Sequence, residues 1–227
     1  MNLSDSAAFQ ARKYELVDPD VRLMLLVQND NAAAFEELVS RYQDRLIQIF
    51  DHVVPNRAMG EELAQEVFLR VYRARKTYSP DAKFSTWLFT IANNVASNAI
   101  RSLSKRKEIQ LGHAAPNGSG IVTLEHLAPA ASGFMPARRL DRKELTETVR
   151  RAIQSLNERQ RMAMLLSRFE GMSYEDIGKT MGLSVQAVKS LTSRAREKLR
   201  EILEPYIAEG RDIGVGESDD TPEEFEG

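Results

Sequence analysis

Cysteine is absent from this chain of 227 residues, which removes disulfide frameworks, thiol nucleophiles and cysteine-based zinc sites together. The three histidines, His52, His113 and His126, are scattered without metal-ligand spacing, so neither a metal nor any other cofactor is expected. No apolar run approaches the roughly 20 residues of a bilayer span. Residues 1–16 mix polar, acidic and basic side chains, unlike a secretory leader. A cytoplasmic protein with no direct membrane insertion is predicted. Also missing are a glycine-rich phosphate loop, a nucleophile constellation and a metal cluster, so an enzyme is not expected.

What is present is apolar enough to fold. Hydrophobic side chains make up 42% of the chain, enough for one large domain or two small ones, each with a core. The formal net charge of −2 looks wrong for a nucleic-acid binder until its distribution is considered. Lys189, Arg194, Arg196, Lys198 and Arg200 crowd one short stretch against the single acid Glu197, whereas the charges from Glu204 onward are almost all acidic.

Apolar positions recur at helical spacing through residues 32–101, in three stripes. The first runs through Phe35, Leu38, Val39, Tyr42, Leu46 and Ile49. Pro55 and Asn56 break it and offer a helix cap, and Leu63, Val67, Phe68 and Val71 form the second. After a loop at 79–83, Phe84, Trp87, Leu88, Ile91, Val95 and Ile100 form the third. Each is too short to be stable alone, so a small bundle is predicted. Between 102 and 139 Gly, Pro, Ser and Ala dominate and periodicity is lost, which reads as a flexible linker. Helical spacing returns over 140–203. Asn157 with Gln160 predicts a capping box, Gly171 a helix stop and Ser173 with Asp176 a second box. Residues 174–181, the turn Gly182, Leu183 and Ser184, and a long helix from Val185 follow helix-turn-helix grammar.

Ile177, Met181, Leu183, Val188 and Leu191 can pack the two helices across that turn. Gln186, Lys189, Ser190, Ser193 and Arg194 are left on the outer face of the second. Such a face suits a major groove, whose base edges and phosphates these side chains can bond; the bland reading is a solvated basic helix in an ordinary bundle. Glu62, Gln65, Glu66, Arg70 and Arg73 line the outside of the second stripe, as either a partner face or a solvated one. A lone tryptophan such as Trp87 on an apolar stripe is more often core than a base-stacking platform. Asn93, Asn94 and Asn98 suggest hydrogen-bonding work on an exposed face, or capping of a frayed end.

The wording of these segments resembles the extracytoplasmic-function sigma factors. Residues 34–42, 61–68 (Glu-Glu-Leu-Ala-Gln-Glu-Val-Phe) and 84–88 (Phe-Ser-Thr-Trp-Leu) resemble their second region. Residues 156–161, 171–178 (Gly-Met-Ser-Tyr-Glu-Asp-Ile-Gly) and 188–196 resemble their fourth. The resemblance implies an all-α fold of two small helical domains joined by a flexible linker, the C-terminal one containing a helix-turn-helix. Residues 1–24 would be an N-terminal extension, 25–101 the second-region domain, 102–139 the linker, 140–203 the fourth-region domain and 204–227 an acidic tail.

The function implied is that of an alternative sigma factor, which binds bacterial core RNA polymerase and directs promoter-specific initiation. Regulation in a stress or envelope response by an anti-sigma factor is implied with it. Glu62, Gln65, Glu66, Arg70 and Arg73 would dock on the polymerase clamp. Lys83, Trp87, Asn94 and Asn98, with the 79–83 loop, would hold the minus-ten element. Gln186, Lys189, Ser190, Ser193, Arg194 and Arg196 would read the minus-thirty-five element. Thr90 and Ile91 stand where housekeeping relatives carry a duplex-wedging tryptophan pair, so weaker melting and stricter promoter choice are implied. The acidic tail, with Asp219, Asp220, Glu223, Glu224 and Glu226, departs from the family pattern. It reads as a solubilising segment or as an electrostatic mask for the basic helix. A helix-turn-helix repressor remains the rival reading, and it leaves residues 32–101 without a task.

Overall fold

The computed structural model describes residues 13–54, 56–112 and 142–211, which form helices, turns and short connections with no strand. The linker at 113–141 and the tail at 212–227 lie outside the described residues, and with them the tail's proposed masking.

Helix α1 (Pro19–Gln28) opens with Asp18 as N-cap and proline in its first turn, where a missing N–H is harmless. Helix α2 (Ala32–Val53) follows, its first turn closed by the Asn31 side chain accepting from the Ala34 N–H at 3.0 Å. Helix α3 (Arg57–Ala74) starts from Asn56 in the same way, as its sequence predicts, and ends in a 3-10 turn, Arg75–Thr77. Helix α4 (Phe84–Gly112) completes the first bundle. The apolar stripes converge: Leu38, Leu46, Ile49 and Phe50 of α2, Val67 and Val71 of α3, and Phe84, Leu88 and Phe89 of α4 are all essentially buried. At roughly 1.5–3 kcal/mol per fully buried side chain, this convergence offsets the marginal stability of each helix alone.

The second bundle comprises α5 (Arg142–Gln154), α6 (Glu158–Arg168), α7 (Tyr174–Met181) and α8 (Val185–Arg211). Both halves of the Asn157–Gln160 capping box are present, and Gly171 adopts φ +61° after α6.

Three boundaries differ from the sequence reading. The N-terminal extension is not separate, because α1 begins at Pro19 and buries Val21, Met24 and Val27 in the first core. Helix α4 continues past Arg101 to Gly112. Ser102, Ser104, Lys105 and Arg106, at the start of this extension, are exposed. Helix α8 likewise runs through Pro205 to Arg211, where acids alone suggested a tail.

The two bundles also meet, which sequence periodicity did not show. Ile153, Met162, Leu165, Leu166, Ile177 and Val188 belong to the same buried cluster as the first bundle's core. Polar links cross the junction: Arg150 donates to the carbonyl and carboxylate of Asp51 at 3.0 and 3.1 Å, and Arg161 donates to the Val53 carbonyl at 3.3 Å. Arg45 of α2 pairs with Glu170. His52, on α2, faces the Phe169 ring at 5.3 Å. Its Nδ1 is buried with no hydrogen-bond partner among the described residues.

Burial is the main reason His52 titrates below its ordinary value of 6.5; Arg150 and Arg161 push the same way, and Asp51 opposes them. The unfolded chain binds a proton near that pH which the folded chain refuses, so stability is full above it and declines as pH falls through it. The thermal midpoint should therefore drop between about pH 7.5 and pH 5.5, across the ordinary histidine range. In His52→Gln, thermal melts at the two pH values should show a smaller drop.

Candidate nucleic-acid and polymerase interfaces

The helix-turn-helix is set by local chemistry. Helix α7 starts at Ser173, whose Oγ accepts from the Asp176 N–H at 3.1 Å, and ends at Gly182 with φ +65°, a left-handed position that suits glycine. The Ser184 Oγ then accepts from the Ala187 N–H at 3.2 Å and opens α8. Val188, Thr192 and Ala195, spaced four and three apart, are buried on the inner side of α8.

On the opposite side Gln186, Lys189, Ser193 and Arg194 are exposed, with no side-chain hydrogen bond or ion pair among the described residues. Ser190 is half-buried at the edge of this face. Arg196 is exposed but committed, donating to the Tyr174 hydroxyl at 3.2 Å across the turn. Hydrogen bonding with Thr192 and Arg196 holds the Tyr174 phenol below its ordinary value. Lys198 donates to the Ser155 carbonyl at 2.7 Å. Of the basic cluster, Lys189, Arg194 and Arg200 thus remain to meet an anion, and a polar groove between Ser193, Arg196, Glu197 and Arg200 lies alongside.

On α3, Glu62, Gln65, Glu66, Arg70 and Arg73 share the side opposite Ala64, Val67, Phe68 and Val71. Glu66 and Arg70 pair at 2.7 Å; Glu62, Gln65 and Arg73 carry no such partner among the described residues. The sequence reading passed over Leu69 and Tyr72, 51% and 43% exposed on this face. Tyr72 leans on Phe35 at 5.2 Å, with the Arg75 guanidinium 4.0 Å over its ring. Two large apolar residues on the polar side of an amphipathic helix were the available signal.

Trp87, Asn94 and Asn98 fall within an arc of about 40° along α4 at the helical period, and Lys83 immediately precedes the helix. Asn94 and Asn98 are exposed, and Asn98 accepts from Arg101 at 3.4 Å. Trp87 is half-buried, packed edge-on to Tyr78 at 4.8 Å and tilted against Phe84 at 6.0 Å, so it belongs partly to the core. Lys83 is not free: its Nζ lies 3.0 Å from Asp176 Oδ2, at the start of α7. The structure brings the four residues onto one stripe and places the other bundle across its near end.

Comparison with known proteins accounts for this pair of bundles. Residues 38–106 match Sigma-70 region 2, and residues 146–199 match Sigma-70 region 4. The RNA polymerase sigma-H factor of Pseudomonas aeruginosa is 32% identical over 192 residues, covering 85% of this chain and 97% of that protein. The ECF RNA polymerase sigma-E factor of Escherichia coli is 32% identical over 193 residues, covering 83% and 96%. The structure of CnrH in complex with the cytosolic domain of CnrY aligns with a TM-score of 0.60 at 25% identity, over 83% of this chain and 99% of that one. The chain belongs to the extracytoplasmic-function sigma factors. No described helix is long and apolar enough to cross a membrane.

The turn between α7 and α8 makes one position sterically exacting. A Cβ on Gly178 would lie 2.7 Å from the Leu183 carbonyl oxygen, a backbone atom, and that carbonyl cannot rotate away as a side chain could. Gly178→Ala should destabilise the fold by about 1–3 kcal/mol, the range for overpacked sites. Denaturant titration should show the loss, and Gly60→Ala, whose Cβ would meet nothing nearer than 3.4 Å, should cost less.

Proposed function

We propose that this sigma factor binds core RNA polymerase through the α3 face and holds the minus-ten element along the α4 stripe. Helix α8 then reads the minus-thirty-five element in the major groove. The observation that carries this reading is the α8 face, where Gln186, Lys189, Ser193 and Arg194 stand exposed and, among the described residues, unpaired opposite the buried Val188, Thr192 and Ala195. A helix presenting free donors over an anchored back fits a groove of matching width. Residues 25–101 and 140–203 are the working regions in this reading, with α1 added to the first. Thr90 and Ile91 are both half-buried, with Thr90 Oγ1 donating to the Thr86 carbonyl at 2.8 Å. Neither projects an aromatic wedge into DNA, so strand opening rests on good contacts at both elements.

Leu69 and Tyr72 supply the apolar centre of the polymerase face, ringed by Glu62, Gln65, Glu66, Arg70 and Arg73 as a polar rim. The protein works in the cytoplasm, where polymerase and promoter DNA are found, and contributes recognition without bond-making chemistry of its own. Its regulator is an anti-sigma factor acting in a stress or envelope response; CnrH, with the same fold, is held by the cytosolic domain of CnrY.

The test is transcription from promoters mapped after overexpression, with core polymerase and purified variants. Arg194→Ala should cost roughly 1–3 kcal/mol of promoter affinity, and undiminished initiation would remove α8 as the reader. Asn94→Ala should slow open-complex formation while core polymerase binding is unchanged. Leu69→Ala should show the converse, weakening core binding by 1 kcal/mol or more, as expected of a central apolar anchor.

A further inference from the structure

The first turn of α7 sits on the near end of the α4 stripe, and its chemistry there is that of an occupant. Asp176 Oδ2 lies 3.0 Å from the Lys83 ammonium, and Oδ1 accepts from Thr86 Oγ1 at 3.4 Å. The Thr180 hydroxyl, one turn on, donates to the Thr86 carbonyl at 3.4 Å. Thr86 and Thr180 are both 3% exposed, so the contact is closed to water. Burial pushes the Asp176 carboxyl up, but hydrogen bonds from Ser173 and Lys83 win and hold it below the ordinary carboxylate range, so it is anionic at neutral pH. An anionic oxygen on the lysine that would meet a DNA phosphate occupies the position the phosphate needs.

We infer that Asp176 is an internal stand-in for DNA: in the free chain the helix-turn-helix bundle closes over the minus-ten edge through Asp176 and Thr180, and closure excludes DNA from Lys83. The inference rests on the reading of Lys83 as a DNA contact. The closing contact is made to be reversible. Lys83 keeps more than half its side chain in solvent, and a half-exposed ion pair contributes little and is weakened by salt. Two further ionic links, Arg45 with Glu170 and Arg150 with Asp51, also join the bundles and hold them in register.

The experiment uses the full chain and exploits its lack of cysteine. Nitroxides on Ser40→Cys in α2 and Glu201→Cys in α8, both exposed positions, report the distance between bundles by electron double resonance. A fluorescent mixed-sequence single-stranded oligodeoxynucleotide reports DNA binding. Asp176→Asn keeps the side-chain volume and the backbone N–H that Ser173 caps, and removes the charge. The expected result is a longer, broader distance distribution in Asp176→Asn and, if the closed form is about 90% of the free chain, a roughly two- to fourfold gain in apparent affinity, the most that loss of one half-exposed pair allows. That gain should disappear when Lys83→Gln is added.

An unchanged distance in Asp176→Asn overturns the latch. A longer distance without a gain in affinity, or a gain that survives Lys83→Gln, overturns the exclusion and locates the failure in the reading of Lys83. The unsubstituted chain gives a check that folding defects cannot confound. Added DNA must lengthen its distance distribution, and DNA bound with the distribution unmoved overturns the inference outright.

Discussion

The carboxylate of Asp18 starts two helices at once, and the first bundle depends on it. A helix N-terminus leaves unsatisfied N–H groups; Asp18 Oδ1 takes that of Asp20 in α1 and Oδ2 takes that of Phe84 in α4, both at 2.9 Å. The start of α4, and with it the register of Lys83, Trp87, Asn94 and Asn98, is thereby tied to α1. The remainder of α1 acts as a brace. Asp20 bonds the Tyr42 hydroxyl and the Arg41 guanidinium at 2.5 Å each, which holds α1 to α2. At the other end, Gln28 donates to the Lys76 and Tyr78 carbonyls, and Asp30 pairs with Arg75 and Lys76. The loop that precedes α4 is therefore held at both ends by a helix outside the segment matching region 2.

Between the bundles the chemistry favours a unique docking over a strong one. The Glu170 side chain is 2% exposed, and alone its charge would be costly to bury. Arg45 neutralises it while lying over the Tyr42 ring at 4.5 Å. Arg161, half-buried and with no ion pair among the described residues, donates to the carbonyls of Val53, Gln154 and Leu156. These lie at or just past the C-terminal ends of α2 and α5, where helix carbonyls lack partners and carry partial negative charge. Buried ionic groups of this kind add little net stability, but breaking one of them is expensive, so they specify one arrangement. The apolar cluster beneath supplies the attraction.

The helices, their caps and the outward α8 face were legible in the sequence because each depends on residues within a few positions of one another. Asn157 and Gln160 formed the box their spacing predicts. Ser173 and Asp176 formed only half of theirs: the Asp176 N–H reaches Ser173, but the carboxylate, besides accepting from the Ser173 hydroxyl, turns to Lys83 and Thr86. Those partners lie about ninety positions earlier, and no local window contains them. The same limit hid α1, whose value lies in bonds to α2, to the turn after α3 and to α4, and whose own pattern is short. Leu69 and Tyr72 were hidden for another reason. An apolar residue on a polar face looks like noise until burial shows that about half of it stays in solvent.

Charge is sorted by face within the second bundle, which is why the average charge misled. Glu170 and Asp176 point to the cations of the first bundle, Arg45 and Lys83, whereas Lys189, Arg194 and Arg200 point to solvent on α8. These opposite charges cancel in the sum while acting on different partners, and Arg150 adds a cation at the junction, where it meets Asp51. The closed arrangement leaves the α8 face uncovered: Gln186, Lys189, Ser193 and Arg194 are exposed while Asp176 rests on Lys83. The inferred masking by Asp176 would therefore reach only the proposed minus-ten edge and leave the α8 face available. In the proposed reading, duplex DNA can therefore meet α8 before the bundles part.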